Sequence, residues 1–483
     1  QQLGEFDSAR KAFETSIDLL TVLASEAEPD EVKYRQELAE SHIWLGLLLK
    51  PMSSEDAFDL INQAVTIQQD VAQISSGDQS SEYGLARALY NRGMLLGEQD
   101  DDDAAEKDFL SAIRLLSSLL DESEMQAADD SQSRMRVDLG RTLNNYGNLL
   151  KKRGQTEAAK ERITDAIDLY HQRTLNREQR EDLAVFRNNL SNTLATLGML
   201  DEAATENEQA IEILEQLVQD FPQYTNLKDE LSNTLNSRGA LAGRQGKLDK
   251  AAELFARSDS ILTGLTEKYP SHNDYINRLG NAKYNRALVD YMQQSYSEAM
   301  EWLDEAIDLH ATCLTSNVKN SEFAANLKKD HSLAAQSCLK LEDWNGLLNV
   351  VDQSAGAFPD DPSTYMQTAK WLARGYQSFV SNTASMSESD TLSADDLASA
   401  AVGQLRRAVE CGQSPNAILQ DDRFAESFAP LQDHDGFRQL LSELRLKPSN
   451  ETPPKETSDS DSHSKPNRVL GSDDIDVPRI TGE

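Results

Sequence analysis

The sequence predicts an all-α array of stacked helical hairpins, and three observations carry that expectation. Small residues recur at fixed offsets along most of the chain, and the apolar residues between them follow helical spacing. Aromatic residues make up only 6% of the 483 residues, within a hydrophobic content of 39%. A core that thin suits helices stacked in pairs better than a thick globule.

The clearest unit has small residues at Gly147, Gly154, Ala159 and Ala166, which are offsets 0, 7, 12 and 19. Along the chain, residues Gly4, Phe6, Ala9, Phe13 and Ser16 match a turn and a second helix, with no first helix before them. That start leads to the expectation that the natural protein continues upstream of Gln1, the alternative being a lone capping helix. A unit at Gly46, Ala57 and Ala64 is one residue short in its turn, which contains Pro51. The full offsets return as Gly93, Asp100, Ala105, Ala112, then Ser191, Gly198, Ala203, Ala210, and then Gly239, Gly246, Ala251, Ser258. Weaker copies are Ala287, Gln294, Ala299, Ala306 and Ala335, Glu342, Leu347, Ser354. Position 19 of successive units is spaced by 48, 48, 54, 44, 48, 48, 48 and 54 residues from Ser16 to Ala408.

Each unit reads as two antiparallel helices. Leu143, Tyr146, Leu149 and Leu150 give the first an apolar stripe, and Ala159, Ile163, Ala166 and Ile167 give the second its own. The offset-7 glycine suits the left-handed residue that ends a helix. The small residues let helix backbones approach closely. Phe221-Pro222, Tyr269-Pro270 and the run Phe358-Pro359-Asp360-Asp361-Pro362 separate units.

On these offsets, residues 4–358 resemble the tetratricopeptide repeat (TPR) family. The resemblance implies a right-handed superhelical solenoid spanning 1–358, with protein or peptide partners. A usual TPR unit has about 34 residues, whereas these have about 48, so each helix should gain roughly two turns.

Beyond 358 the pattern loosens. Residues 359–446 read as a C-terminal helical repeat and cap: a helix over Tyr365–Phe379 with Trp371 and Leu372, a Ser/Asp-rich insertion near 381–396, and second-helix residues Ala401, Leu405 and Ala408. A helical cap over Ile418–Leu446 carries Phe424, Phe428, Leu431, Phe437, Leu440 and Leu441. The acidic tail 447–483 has the composition of a disordered segment. The words FPDDPSTYMQTAKWLARG, LRRAVECG and DDRFAESFAPLQDHDGFRQLLSEL resemble the C-terminal part of planctomycete-type bacterial serine/threonine protein kinases. That resemblance implies a regulatory or substrate-recruiting arm, with kinase domain and membrane tether upstream; this chain has no glycine-rich loop, HRD or DFG.

A net charge of −35 disfavours a nucleic-acid partner, since phosphate neutralisation needs surplus Lys and Arg. The densest apolar run, Ile43–Leu49, is far short of a membrane span, and no signal-peptide pattern is visible, so the default location is the cytoplasm. Cys313, Cys338 and Cys411 form no CxxC pair, and no two of the seven histidines have HExxH spacing. His331 and Cys338, seven apart, read as a buried pair on one helix face. Gly239, Gly243 and Gly246 lack phosphate-loop spacing, Asp433–Gly436 fails the calcium-loop pattern, and the Asp100–Asp103 run reads as a solvated turn. No catalytic, cofactor or metal residue is assigned, and the chain reads as a non-catalytic scaffold.

The candidate binding residues lie on the first helices. Two places before the template glycine stand Asn91, Asn145, Asn189 and Asn285, with Ser237 in the remaining unit. Stacking would align them as a polar ladder able to grip an extended peptide backbone, and the same residues equally satisfy local backbone groups. Arg87, Arg141, Lys151, Lys152 and Arg244 would add cationic contacts to an acidic peptide or a C-terminal carboxylate.

Overall fold

The structure is a computed structural model that describes residues 2–28, 31–123, 130–171, 174–381, 392–420 and 422–446. The regular elements among the described residues are all helical. A lone helix α1 (Gln2–Glu26) precedes the hairpins α2 (Lys33–Leu49) with α3 (Ser54–Ile74), α4 (Gln79–Glu98) with α5 (Asp102–Ser123), α6 (Asp130–Lys152) with α7 (Thr156–Asp168), and α8 (Arg177–Thr196) with α9 (Leu200–Asp220). They continue as α10 (Thr225–Arg244), α11 (Leu248–Lys268), α12 (Asn273–Met292) with α13 (Tyr296–Ser316), α14 (Ser321–Leu341) with α15 (Trp344–Ala357), and α16 (Pro362–Ser381) with α17 (Ala394–Glu410). Short helices α18 (Pro415–Gln420), α19 (Asp422–Ser427) and α20 (Asp435–Leu446) follow. The chain divides into two compact units, residues 1–234 and 235–483, the division falling within α10.

In the first unit α3, α5 and α7 each pack between their own first helix and the next, as α3 does between α2 and α4. Neighbouring first helices also touch: α2 meets α4, α4 meets α6, and α6 meets α8. In the second unit α12, α14 and α16 make the same succession, and α18 and α20 pack on each other with α20 against α17. There Phe424, Phe428, Leu431, Phe437 and Leu440 are buried.

The repeat offsets have direct structural meaning. Offset-12 and offset-19 alanines such as Ala105, Ala112, Ala159, Ala166, Ala203 and Ala210 are fully buried between helices. At offset 0, a Cβ on Gly147 would lie 2.5 Å from Cγ1 of Ile163, and one on Gly239 would lie 2.6 Å from Cε1 of Phe255. The offset-7 residues Asp100, Gly154, Gly198, Gly246, Gln294 and Glu342 all have φ between 57° and 80°. In each case the following residue donates its backbone N–H to the carbonyl five places back, as Gln155 does to Leu150 at 2.9 Å and Ser295 to Asp290 at 2.8 Å. This is the left-handed helix stop in which glycine is at ease, and the non-glycine residues at this place carry about 1 kcal/mol of backbone strain. Gln294→Gly is therefore expected to stabilise the α12–α13 hairpin by about 1 kcal/mol. Gly154→Ala, whose Cβ meets nothing within 4 Å, should cost a similar amount through φ alone, both read by urea unfolding with hydrogen exchange.

Most helices run to 20 residues or more, as the long repeat requires: α5 has 22, α9 has 21 and α12 has 20. Within the hairpins α2 and α17 have 17 residues each, and the shortest are α7 with 13 and α15 with 14. The shortening of α7 accounts for the 44-residue spacing that follows it. Gly4, expected in a turn, lies within α1. The hairpin α2–α3 closes at Lys50 with φ −45°, so the unit that is one residue short has no left-handed stop there. Of the Ser/Asp-rich insertion, 382–391 lie outside the described residues, as does the tail 447–483.

Candidate partner-binding face

The first helices present little fully exposed surface. Between Ser81 and Gly97 every residue of α4 is buried or half-buried, whereas α5 carries an exposed stripe at Asp103, Lys107, Leu110, Arg114 and Ser118. Polar side chains on the first helices therefore meet one another across helix boundaries.

The asparagine positions do so in a repeating way. Asn145 donates its amide to the Tyr90 hydroxyl at 3.0 Å, Asn189 donates to Asn144 Oδ1 at 2.9 Å, and Asn285 donates to Asn236 Oδ1 at 2.8 Å. Each bond runs from two places before the template position to three places before it on the preceding first helix. Asn91 instead donates to the Arg87 carbonyl of its own helix at 2.8 Å, and Ser237 is buried. The ladder thus pins neighbouring first helices together, a role that uses the amide N–H groups.

The basic positions are engaged as well. Arg87 donates to Glu40 at 3.0 Å and lies 4.0 Å from Asp138, while the Tyr83 hydroxyl donates to Asp138 at 2.6 Å. Arg141 donates to Asp182 at 3.0 Å and to Glu178 at 2.7 Å. Lys152 donates to the Gly97 carbonyl at 3.0 Å and to Asp100 and Asp102 at 2.6 and 2.9 Å. Arg153 lies 3.0 Å from Asp103, so the aspartate run is a docking point for the following turn as well as a solvated one. Lys151 is half-buried in the last turn of α6, and Arg244 ends α10.

Glu40, Arg87, Tyr83, Asp138, Arg141, Asp182 and Glu178 thereby form a lattice across α2, α4, α6 and α8. Of these, only Arg87 and Arg141 are among the candidate binding residues. Its carboxylates were available to the same register: Asp138 and Asp182 stand nine places before Gly147 and Ser191. The acid–base pairing itself depends on helix rotation.

Burial pushes the Asp182 carboxyl up to about 6, outweighing the pull of Arg141, and burial raises Asp138 too. The Arg141 guanidinium stays fully protonated, its carboxylate partners raising it against desolvation. The folded-state pKa of Asp182 is above its unfolded value near 3.8, so folding gains protons as pH falls from 7 through 6. Stability of the α6–α8 region should therefore rise, as far as this group contributes, on going from pH 7 to pH 5. Asp182→Asn should flatten that slope in a hydrogen-exchange pH series.

A family model described as tetratricopeptide repeat matches residues 86–115. No curated protein matches the chain. Among solved structures, the apo form of RapI is similar over 85% of this chain and 98% of its own, at 11% identity and TM-score 0.46. BtubC from P. vanneervenii is similar over 54% of this chain and 92% of its own, at 16% identity and TM-score 0.42. A Rap protein complexed with competence and sporulation factor covers 88% and 98%, at 14% identity and TM-score 0.41.

Proposed function

We propose that this chain is a non-catalytic scaffold that binds a protein or peptide partner along the first helices of its hairpins. The observation that carries the reading is the continuous polar lattice from α2 to α8, which offers donors and acceptors at a regular pitch. The tetratricopeptide match at 86–115 supports it, as does the recurrence of the register through the array. The test is hydrogen exchange of the full chain with and without a partner identified by affinity capture. Protection on α4, α6 and α8 is the expected result, and protection confined to α5, α7 and α9 would overturn the assignment. A second reading, the recruiting arm of a serine/threonine kinase, rests on the C-terminal words at 358–375, 405–412 and 421–444. Its test is the coding sequence upstream of Gln1, where a glycine-rich loop, an HRD and a DFG would support it and their absence would overturn it. Among the described residues, no helix is long and apolar enough to cross a membrane.

A further inference from the structure

Helix α1 holds the second-helix place of a hairpin, with Ala9 and Ser16 at offsets 12 and 19. In the other second helices three further offsets meet the first helix of the same hairpin. At offset 15, Asp108 accepts from Arg92 at 2.7 Å, Glu206 accepts from Arg187, and the Trp302 ring centroid lies 3.5 Å from the Arg286 guanidinium. At offset 22, Leu115 packs on the cluster that holds Ala88 and Leu89 of α4, and Leu309 on the one that holds Leu279 and Ala282 of α12. Offset 26 is fully buried as Leu119, Leu217, Leu265 and Cys313, and the Cys313 thiol donates to the Asn273 carbonyl of α12. On α1 these three places are Ala12, Leu19 and Leu23, and all are exposed, Leu19 by 62% and Leu23 by 41%. Phe13, at offset 16, is only half-buried, whereas Phe109, Ile163 and Phe255 at that offset are buried. Helix α1 packs on α2, the first helix that follows it, and the side that elsewhere meets a first helix before it is bare. Trp44 marks the same place from α2. It stands two residues before Gly46, the position from which Asn145 and Asn189 reach the preceding first helix, and it is 46% exposed.

We infer that this side of α1 and α2 seats a helix supplied by a partner protein, one that presents leucine, leucine and glycine at four-residue spacing along one face. The row of first helices sets that chemistry, because the seat is the next place in the row before α2. Helix α4 carries Leu85, Leu89 and Gly93 at this spacing, α10 carries Leu231, Leu235 and Gly239, and α6 repeats it at 139, 143 and 147. Residues four apart fall on one helix face, so each trio forms a single ridge. Both units with phenylalanine at offset 16 set glycine against it: a Cβ on Gly93 would lie 3.1 Å from the Phe109 ring, and one on Gly239 2.6 Å from the Phe255 ring. Phe13 therefore demands glycine in the incoming helix, and Leu19 and Leu23 demand its leucines. A second copy of α1 offers the spacing without the glycine, since the residue four places after Leu23 is Ala27. Docking is helix-on-helix burial of apolar surface, at a place separate from the polar lattice of the proposed function.

The probe is a fluorescent peptide copying residues 225–244, which hold Leu231, Leu235 and Gly239, titrated into the full chain by anisotropy at physiological ionic strength. Saturable binding with hydrogen-exchange protection of α1 and α2 is expected. Leu19→Ser/Leu23→Ser, which changes two exposed side chains and no charge, should weaken binding about tenfold. A peptide with Gly239→Leu should bind the parent chain about tenfold more weakly and recover on the chain with Phe13→Ala, where the removed ring leaves room for it. Absence of saturable binding, or binding indifferent to both changes, overturns the proposal. So does a chain that is dimeric by sedimentation without peptide and monomeric in Leu19→Ser/Leu23→Ser, because a second copy then holds the seat. Protection of α1 equal to that of α3 before peptide is added also overturns it, because a segment of the chain itself then fills the place.

Discussion

His310→Leu is expected to cost about 3–5 kcal/mol, the largest single-residue effect argued for this chain, because it strands a carboxylate in the core. His310 on α13 and Asp330 on α14 are essentially unexposed, with His310 Nδ1 and Asp330 Oδ2 2.5 Å apart. His310 Nε2 faces the Asn277 backbone carbonyl at 3.1 Å and donates to it. One proton is therefore shared between Nδ1 and Oδ2, and the pair is neutral as a whole in either arrangement. Burial drives the Asp330 carboxyl upward and the histidine pulls it down. Its other oxygen, Oδ1, has no hydrogen-bond partner among the described residues, so the histidine carries most of the compensation. Gly280 makes room for the ring, since a Cβ there would lie 2.5 Å from Nε2.

The array itself supplies the control. One repeat earlier, the places of His310 and Asp330 are taken by Leu262 and Ala282, which pack in an apolar cluster with Leu265 and Leu279. The double variant His310→Leu/Asp330→Ala copies that pairing and should fall within about 1 kcal/mol of the parent, since apolar replacement of a whole buried ion pair is often neutral. Asp330→Asn keeps a donor toward Nδ1 and should cost about 1 kcal/mol. Denaturant unfolding monitored in the second unit reads all three. A double variant as unstable as His310→Leu alone would show that the dyad holds more than its own charge.

The sequence made the hairpins legible because packing imposes them. The alanines at offsets 12 and 19 are fully buried between helices, and offset 7 turns left-handed in six units, so both places leave a mark that survives in a single sequence. Asp100, Gln294 and Glu342 hold the left-handed stop without glycine, and the period, not the residue type, gave them away. The pair His331 and Cys338 is buried as the helical spacing suggested, with burial holding the His331 imidazole down to about 4. The charged lattice was less legible. A guanidinium at a repeat position is visible in sequence, but its carboxylate partner sits on another helix at a different offset. Arg141 pairs with Asp182 and Glu178 because α6 and α8 are rotated to face each other, and rotation is a property of packing. The α7 shortening shows the same limit: a 44-residue spacing reveals that residues are missing, not which helix lost them.

Gly147→Ala should destabilise the α6–α7 hairpin by about 2 kcal/mol, although alanine ordinarily favours a helix interior by about 1 kcal/mol. The reason is the distance of 2.5 Å from the new Cβ to Cγ1 of Ile163, a fully buried side chain, with the Ala159 carbonyl 3.2 Å away on the same side. Across the array the residue at offset 16 differs with the residue at offset 0. Glycine at 147 and 239 faces Ile163 and Phe255, alanine at 287 and 335 stands in register with Leu303 and Val351, and Ser191 with the buried Asn207. A methyl added at one place is tolerated when the other yields. Ile163→Leu, unbranched at Cβ, can swing its chain aside, and Gly147→Ala/Ile163→Leu copies the Ala287 and Leu303 pairing. The double variant is expected to lose at least 1 kcal/mol less than the sum of the two single changes. Hydrogen exchange across α6 and α7 is the suitable readout, because a repeat array opens locally. Strict additivity would mean that the hairpin relaxes around the new methyl by moving its helices apart, and the recurring small residue would then owe its place to something other than close packing.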